Sequence, residues 1–291
     1  MNVQSDCLAC LLNQSLRVAK NLKLTEEASQ ELVRVASAAI ANYREVSPPV
    51  AAADLYPKLG NCIGIDDVYA ELKAYSTAEA KKLLPSVEAS IAQAPDRLKA
   101  AIKAAVAGNV IDFATPNHFD LTEEFRQVFQ TPFALDDEEA FFEQLREASS
   151  LMIIGDNVGE HLFDKLLLRE LGRAYPELCL YYAVRGCPII NDVTMKEATQ
   201  IGMDEVAALV DSGVDTPGLD YAHASEAFME LYGRMDIIIA KGMGNYECLN
   251  EVKDARIYHL FKVKCDVVSQ SVGAQLGSLV FRCNKHLAKL N

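Results

Sequence analysis

The sequence is short of basic residues: 28 Lys and Arg stand against 41 Asp and Glu, a formal charge of -13. Such a surface repels nucleic-acid backbones and anionic membranes instead of collecting their counter-ions, so neither is an expected partner. Long apolar runs are missing too. No uncharged stretch reaches the roughly 20 residues of a membrane span, and the nearest candidate, Val267 to Phe281, carries Ser, Gln and Gly. Met1 to Leu12 has no basic start and is interrupted by Asp6, which does not fit a signal peptide and makes a cytoplasmic protein the expectation. Cysteine is sparse, eight in 291 residues, far below the density of a secreted disulfide scaffold. There is no internal repeat or low-complexity tract. What is present is an ordinary globular mixture, 50% hydrophobic and 24% charged. It is long enough for one large domain or two unequal ones.

Two periodicities divide the chain. Up to about residue 150 the pattern is helical: Leu8, Leu12, Leu16 and Ala19 share one helix face, as do Ala28, Leu32, Ala36, Ala39 and Tyr43. Asp120 with Glu123, and Asp136 with Glu139, have capping-box spacing. After residue 150 short apolar runs take over, Leu151 to Ile154, Leu178 to Val184, Ile237 to Ala240 and Ile257 to Val263, separated by helical stretches at Gly159 to Arg173, Met195 to Ile201 and Ala222 to Tyr232. Runs without strict alternation predict strands covered on both faces. Strand and helix in alternation predict an α/β fold with a mostly parallel, doubly wound sheet. The expected organisation is a helical N-terminal domain, 1–150, and an α/β metal- and phosphate-binding domain, 151–291.

Ligands of such sheets bind beyond the carboxyl ends of the strands. The residues there form a set: Gly155-Asp156-Asn157-Val158-Gly159-Glu160, then Asn191-Asp192, then Lys241-Gly242-Met243-Gly244-Asn245-Tyr246-Glu247, then Lys264-Cys265-Asp266. Carboxylates and carboxamides are hard oxygen ligands suited to Mg²⁺ or Mn²⁺ with substrate phosphate. Lys241 and its glycines supply a point charge and an approachable backbone for an anion. Taken singly, Asp156-Asn157 also reads as a turn or N-cap, and Asn109 after Gly108 as a helix C-cap. Other chemistries lack their fingerprints: there is no HExxH, no GxSxG, no GxxxxGK[ST], and Glu247 stands where GxGxxG needs its third glycine. Cys7-Leu8-Ala9-Cys10 reads either as half of a second metal site, with Cys62 as a further thiol, or as ordinary buried thiols.

Together these segments resemble the damage-control phosphatase family, which is related to acidic-residue methyltransferase-like proteins. The resemblance runs in order through Cys7 and Cys10, the Ala-Gly-Asn-x-Ile-Asp segment ending at Asp112, the Asp156 and Asp192 segments and the Lys241 segment, over nearly the whole chain. The CxxC is a mark of the smaller microbial branch. The resemblance implies a phosphatase dependent on a divalent metal (Mn²⁺, Co²⁺, Ni²⁺ or Mg²⁺) that hydrolyses small phosphometabolites, sugar phosphates or damaged esters. Carried over, the metal ligands are Asp156, Asn157 and Asp192, with Lys241 on the substrate phosphate. Asn109, Asp112, Glu160, Asn191, Asn245 and Glu247 are then placed near the site. Two alternatives of other classes stand beside this one: an S-adenosylmethionine-dependent carboxyl methyltransferase, and a non-catalytic, metal- or cysteine-dependent small-molecule-binding protein.

Overall fold

Three helices open the chain, α1 (Ser5–Asn21), α2 (Glu26–Ile40) and α3 (Pro48–Ile63). Thr25 and Ser47 accept the N-terminal amides of α2 and α3 as N-caps. Their apolar faces close on one another in a core of their own, built on Leu11, Val18, Leu32, Ala36, Leu55 and Leu59. The computed structural model describes residues 1–110 and 121–285.

The next helices, α4 (Ala70–Gln93), α5 (Arg97–Val110) and α6 (Leu121–Gln130), lead to β1 (Phe133–Asp136) and α7 (Glu138–Leu145). Alternation then follows: β2 (Ser150–Ile154), α8 (His161–Ala174), β3 (Cys179–Val184), α9 (Met195–Gln200), β4 (Ala208–Asp211), α10 (Glu226–Tyr232), β5 (Ile237–Lys241), α11 (Gly242–Leu249), β6 (Ile257–Lys262), α12 (Asp266–Val272) and β7 (Leu279–Cys283). The strands form one sheet in the order β1-β7-β6-β5-β2-β3-β4. All pairs are parallel except β6 with β7. The α/β, mostly parallel expectation therefore holds. Leu151, Ile153, Ile237 and Ile239 face one core with α4, α5 and α8. Met152, Ile154, Ile238 and Ala240 face another with Phe228 and Tyr232. Two buried faces are why these strands read as unbroken apolar runs.

Three expectations need correction. The cores do not divide at residue 150, because β1 joins the sheet and α5 packs on α8, where a Cβ on Gly108 would lie 2.7 Å from the Phe163 ring. β1, β4 and β7 were not predicted: the first two are four-residue edge strands with half-exposed patterns. β7 was hidden in the Val267 to Phe281 stretch, which Gly273 and Gly277 split at positive φ into α12 and a strand. The capping box expected at Asp136 and Glu139 is absent, since α7 starts one residue later and Asp136 instead accepts from the Glu138 amide. A reciprocal box forms at Thr194 and Glu197. Asp120, of the other expected box, lies outside the described residues.

The topology places the site. From β2 the chain moves outward to β3 and β4, then crosses back to lay β5 and β6 on the other side. The connections after β2 and β5 leave in opposite directions, opening a crevice at the carboxyl ends of those two strands.

Candidate active site

Two loops meet over that crevice, one after β2 and one ahead of α9. The Val193 amide donates to the Asp156 carbonyl at 2.9 Å, the Val158 amide donates to the Asn191 carbonyl at 2.8 Å, and Asn157 forms an isolated bridge with Asp192. This pairing brings Asp192 to the adjacent pair Asp156 and Asn157, on one wall of a cavity of about 380 Å³.

Each of the three side chains is held by one atom and leaves another free. Asp156 Oδ2 accepts from Asn109 Nδ2 at 3.0 Å and from Asn157 Nδ2 at 2.9 Å. Asp192 Oδ2 accepts from Arg185 Nε at 2.8 Å. The Oδ1 atoms of Asp156, Asn157 and Asp192 have no partner among the described residues. Glu160 supports the arrangement from behind, accepting the Asn157 amide at 2.8 Å and Asn109 Nδ2 at 2.9 Å. Asn109 is anchored in turn by the Lys262 amide at 3.2 Å. The first residue of α11, Gly242, has φ +74° and sits so close that a Cβ there would overlap Asp156 Oδ2. Only glycine fits.

The electrostatics are those of a site short of positive charge. Burial, then the charges of Glu160 and Asp192, push the Asp156 carboxyl well above the usual range. Burial likewise lifts Asp192 to about 6, against the pull of Arg185. Two acids and a carboxamide with free oxygens at one wall are a hard donor set that fits a divalent cation, with remaining positions left to water and substrate. Among the described residues no three Cys, His, Asp or Glu side chains converge as a closed cage.

The other expected residues separate into two groups. Asn191 and Glu247 line the cavity. The Glu247 carboxyl has no hydrogen-bond partner among the described residues, and burial raises it to about 7. Lys241, expected on the substrate phosphate, is fully buried beneath the floor. Its Nζ donates to Asp164 Oδ1 at 2.5 Å, and Asp164 Oδ2 accepts from the Tyr182 hydroxyl. Burial works against the Lys241 charge, but Asp164, Glu160 and Asp156 outweigh it and raise its pKa. Asn245 is also buried, tying the Lys241 and Gly155 carbonyls to the Leu219 amide. Asp112 lies outside the described residues.

Lys264 and the α1 wall were not assigned from sequence. Lys264 lines the cavity, and its charge acts on Asp156. Its position after β6 was the available signal. The opposite wall comes from α1, which presents Asp6, Cys7, Cys10, Gln14 and Arg17. Cys265 joins Cys7 and Cys10 there, whereas Cys62 is exposed on α3 and lines a different part of the surface.

A crevice at the switch point of a mostly parallel sheet, floored by acids and amides and rimmed by a lysine, is where open α/β proteins bind their ligands. The family model of the damage-control phosphatase ARMT1-like domain matches residues 3–280. A damage-control phosphatase of Pyrococcus horikoshii is 32% identical over 98% of this chain and 99% of its own. One of Archaeoglobus fulgidus is 29% identical over 96% and 98%. The crystal structure of a DUF89-family protein from P. horikoshii superposes with a TM-score of 0.89 at 31% identity, covering 98% of this chain and 100% of that one. The chain belongs to the damage-control phosphatase ARMT1-like family, and this membership supports a phosphatase role.

Proposed function

We propose that the protein is a divalent-metal-dependent phosphatase of small phosphorylated metabolites, with Asp156, Asn157 and Asp192 as the metal ligands. The observation that carries this reading is the set of free Oδ1 atoms on those three side chains, each fixed through its other atom. A divalent ion held there supplies charge stabilisation of the phosphoryl oxygens and activation of water.

The chain's own residues do the rest. Lys264, with no partner for its ammonium among the described residues, takes a phosphate oxygen at the cavity rim, the role first expected of Lys241. Lys241 and Asp164 form the buried ion pair that holds the floor. Asn109 and Glu160 keep Asp156 and the Asn157 amide in place. The cavity, about 380 Å³, accommodates a metabolite the size of a sugar phosphate, and Gln14, Arg17 and Asn191 also line it.

The test is phosphate release from a panel of phosphate esters by metal-stripped protein, with Mg²⁺, Mn²⁺, Co²⁺ or Ni²⁺ restored singly. Release that needs metal and disappears in Asp156→Ala is the expected outcome, with Lys264→Ala raising KM about tenfold while kcat changes little. Undiminished release in Asp156→Ala, or release indifferent to chelator, would overturn the reading.

A further inference from the structure

Arg185 stands immediately after β3, and its side chain is completely buried. Arginine and carboxylate usually meet fork to fork, two N–H groups on two oxygens. Here the contact is side-on: Nε alone reaches Asp192 Oδ2, while Nη1 and Nη2 have no acceptor among the described residues. Buried donors without acceptors destabilise a fold and call for an explanation.

The backbone is pinned on both sides of this contact. The Arg185 amide donates to the Val193 carbonyl at 3.0 Å, and Arg185 bridges Thr194. Gly186 donates to Val214 and packs on Gly213. Asp192 is fixed from its own side by its amide on the Ile189 carbonyl and by the bridge to Asn157. A forked contact would engage both oxygens of Asp192. The side-on contact engages one.

We infer that Arg185 is a positioning residue whose Nε bond holds Asp192 with Oδ1 turned to the cavity, setting the affinity of the divalent-metal site. This rests on the proposed metal-dependent function. Arg185 also acts electrostatically on Asp156, favouring its ionised form, so one guanidinium serves both acidic ligands.

The test is Mn²⁺ binding by calorimetry to metal-free wild type, Arg185→Met and Arg185→Lys. Loss of an outer-sphere hydrogen bond to a ligand typically weakens metal affinity by 10–100-fold, and Arg185→Met is expected in that range with its circular dichroism unchanged. Arg185→Lys keeps the charge but has no Nε, and is expected to be weakened as well, with an altered Co²⁺ visible spectrum. In an Asp192→Asn background the Arg185→Met effect should disappear. Mn²⁺ binding as tight as wild type in folded Arg185→Met or Arg185→Lys would overturn the inference. If neither variant folds, the Arg185 Nε–H resonance of wild type decides: it should shift on adding Mg²⁺, and an unmoved resonance overturns the inference. Wild type that binds no metal would instead overturn the proposed function itself.

Discussion

At the ends of β2 and β3 the carboxylates are engaged: Asp156 by two carboxamides, Asp192 by Arg185, Glu160 by an amide and Asn109, with Lys241 and Asp164 paired below. On the α1 side the groups are looser. Cys10 and Arg17 are exposed, Cys7 is half-buried, and among the described residues Gln14 is steadied by the Tyr56 hydroxyl at 3.1 Å and a 3.7 Å contact to Cys10. Groups that must hold a fixed charge pattern are built on rigid strand ends. The looser groups sit on a helix from a separate core. On the proposed function, the floor is the part preorganised for chemistry and the wall the part left to selection.

The floor should break most sharply at Gly242. In Gly242→Ala a methyl group must displace Asp156 while a non-glycine residue is forced to φ +74°. Metal binding by calorimetry should be lost and kcat/KM should fall at least about 100-fold, with the far-ultraviolet spectrum retained.

Removing Lys241 tests whether the floor cation is structural. Lys241→Met leaves Asp164 buried without its partner, which typically destabilises by about 3–5 kcal/mol, measurable by urea denaturation. Adding Asp164→Leu should recover much of that loss. If Lys241→Met left stability unchanged, the buried pair would not be holding the floor.

Glu247 sharpens the comparison from the cavity interior. Its folded pKa of about 7 lies above the ordinary value near 4.3, so the stability it contributes is fully present below about pH 4 and is lost as pH rises through about 7. Glu247→Gln should therefore be more stable than wild type at pH 8, by on the order of 1 kcal/mol, with the difference vanishing near pH 4. The same ionisation adds negative charge beside the bound ester, so wild-type KM should rise across pH 7, and that rise should be absent in the variant.

The wall should show the smallest effect. Cys7→Ser with Cys10→Ser is expected to keep metal-dependent turnover within about threefold, because the cysteines touch no proposed metal ligand. Abolished turnover would move the thiols into the reaction and favour the cysteine-dependent reading. Burial raises the Cys7 pKa, which makes it a poor thiolate at neutral pH.

Much of the floor was legible in sequence because its residues follow apolar runs directly. A strand buried on both faces announces itself, and the next residues must stand at its carboxyl end; Asp156, Asn157 and Lys241 were found that way. Asp192 was found from its segment, but its distance from Asn157 is closed only by a bridge between loops. Lys241 and Lys264 look alike in sequence, each at the end of a strand. Which one faces the cavity depends on Asp164, 77 residues earlier, reaching Lys241 through the core. Arg185 was visible but unassigned, since the meaning of a guanidinium depends on which of its nitrogens meets an acceptor.

By itself the sequence determined the strand–helix alternation, the mostly parallel sheet and the identity of the acids and amides at the strand ends. Period-2 and period-3.6 burial are local properties, written in neighbouring residues. Only the tertiary structure decided that β1 and α5 belong to the sheet's layer, that α1 walls the cavity, that Lys241 is buried and Lys264 open, and that each proposed ligand keeps one oxygen free. Those outcomes depend on which distant groups satisfy one another once water is excluded, and no local spacing records that.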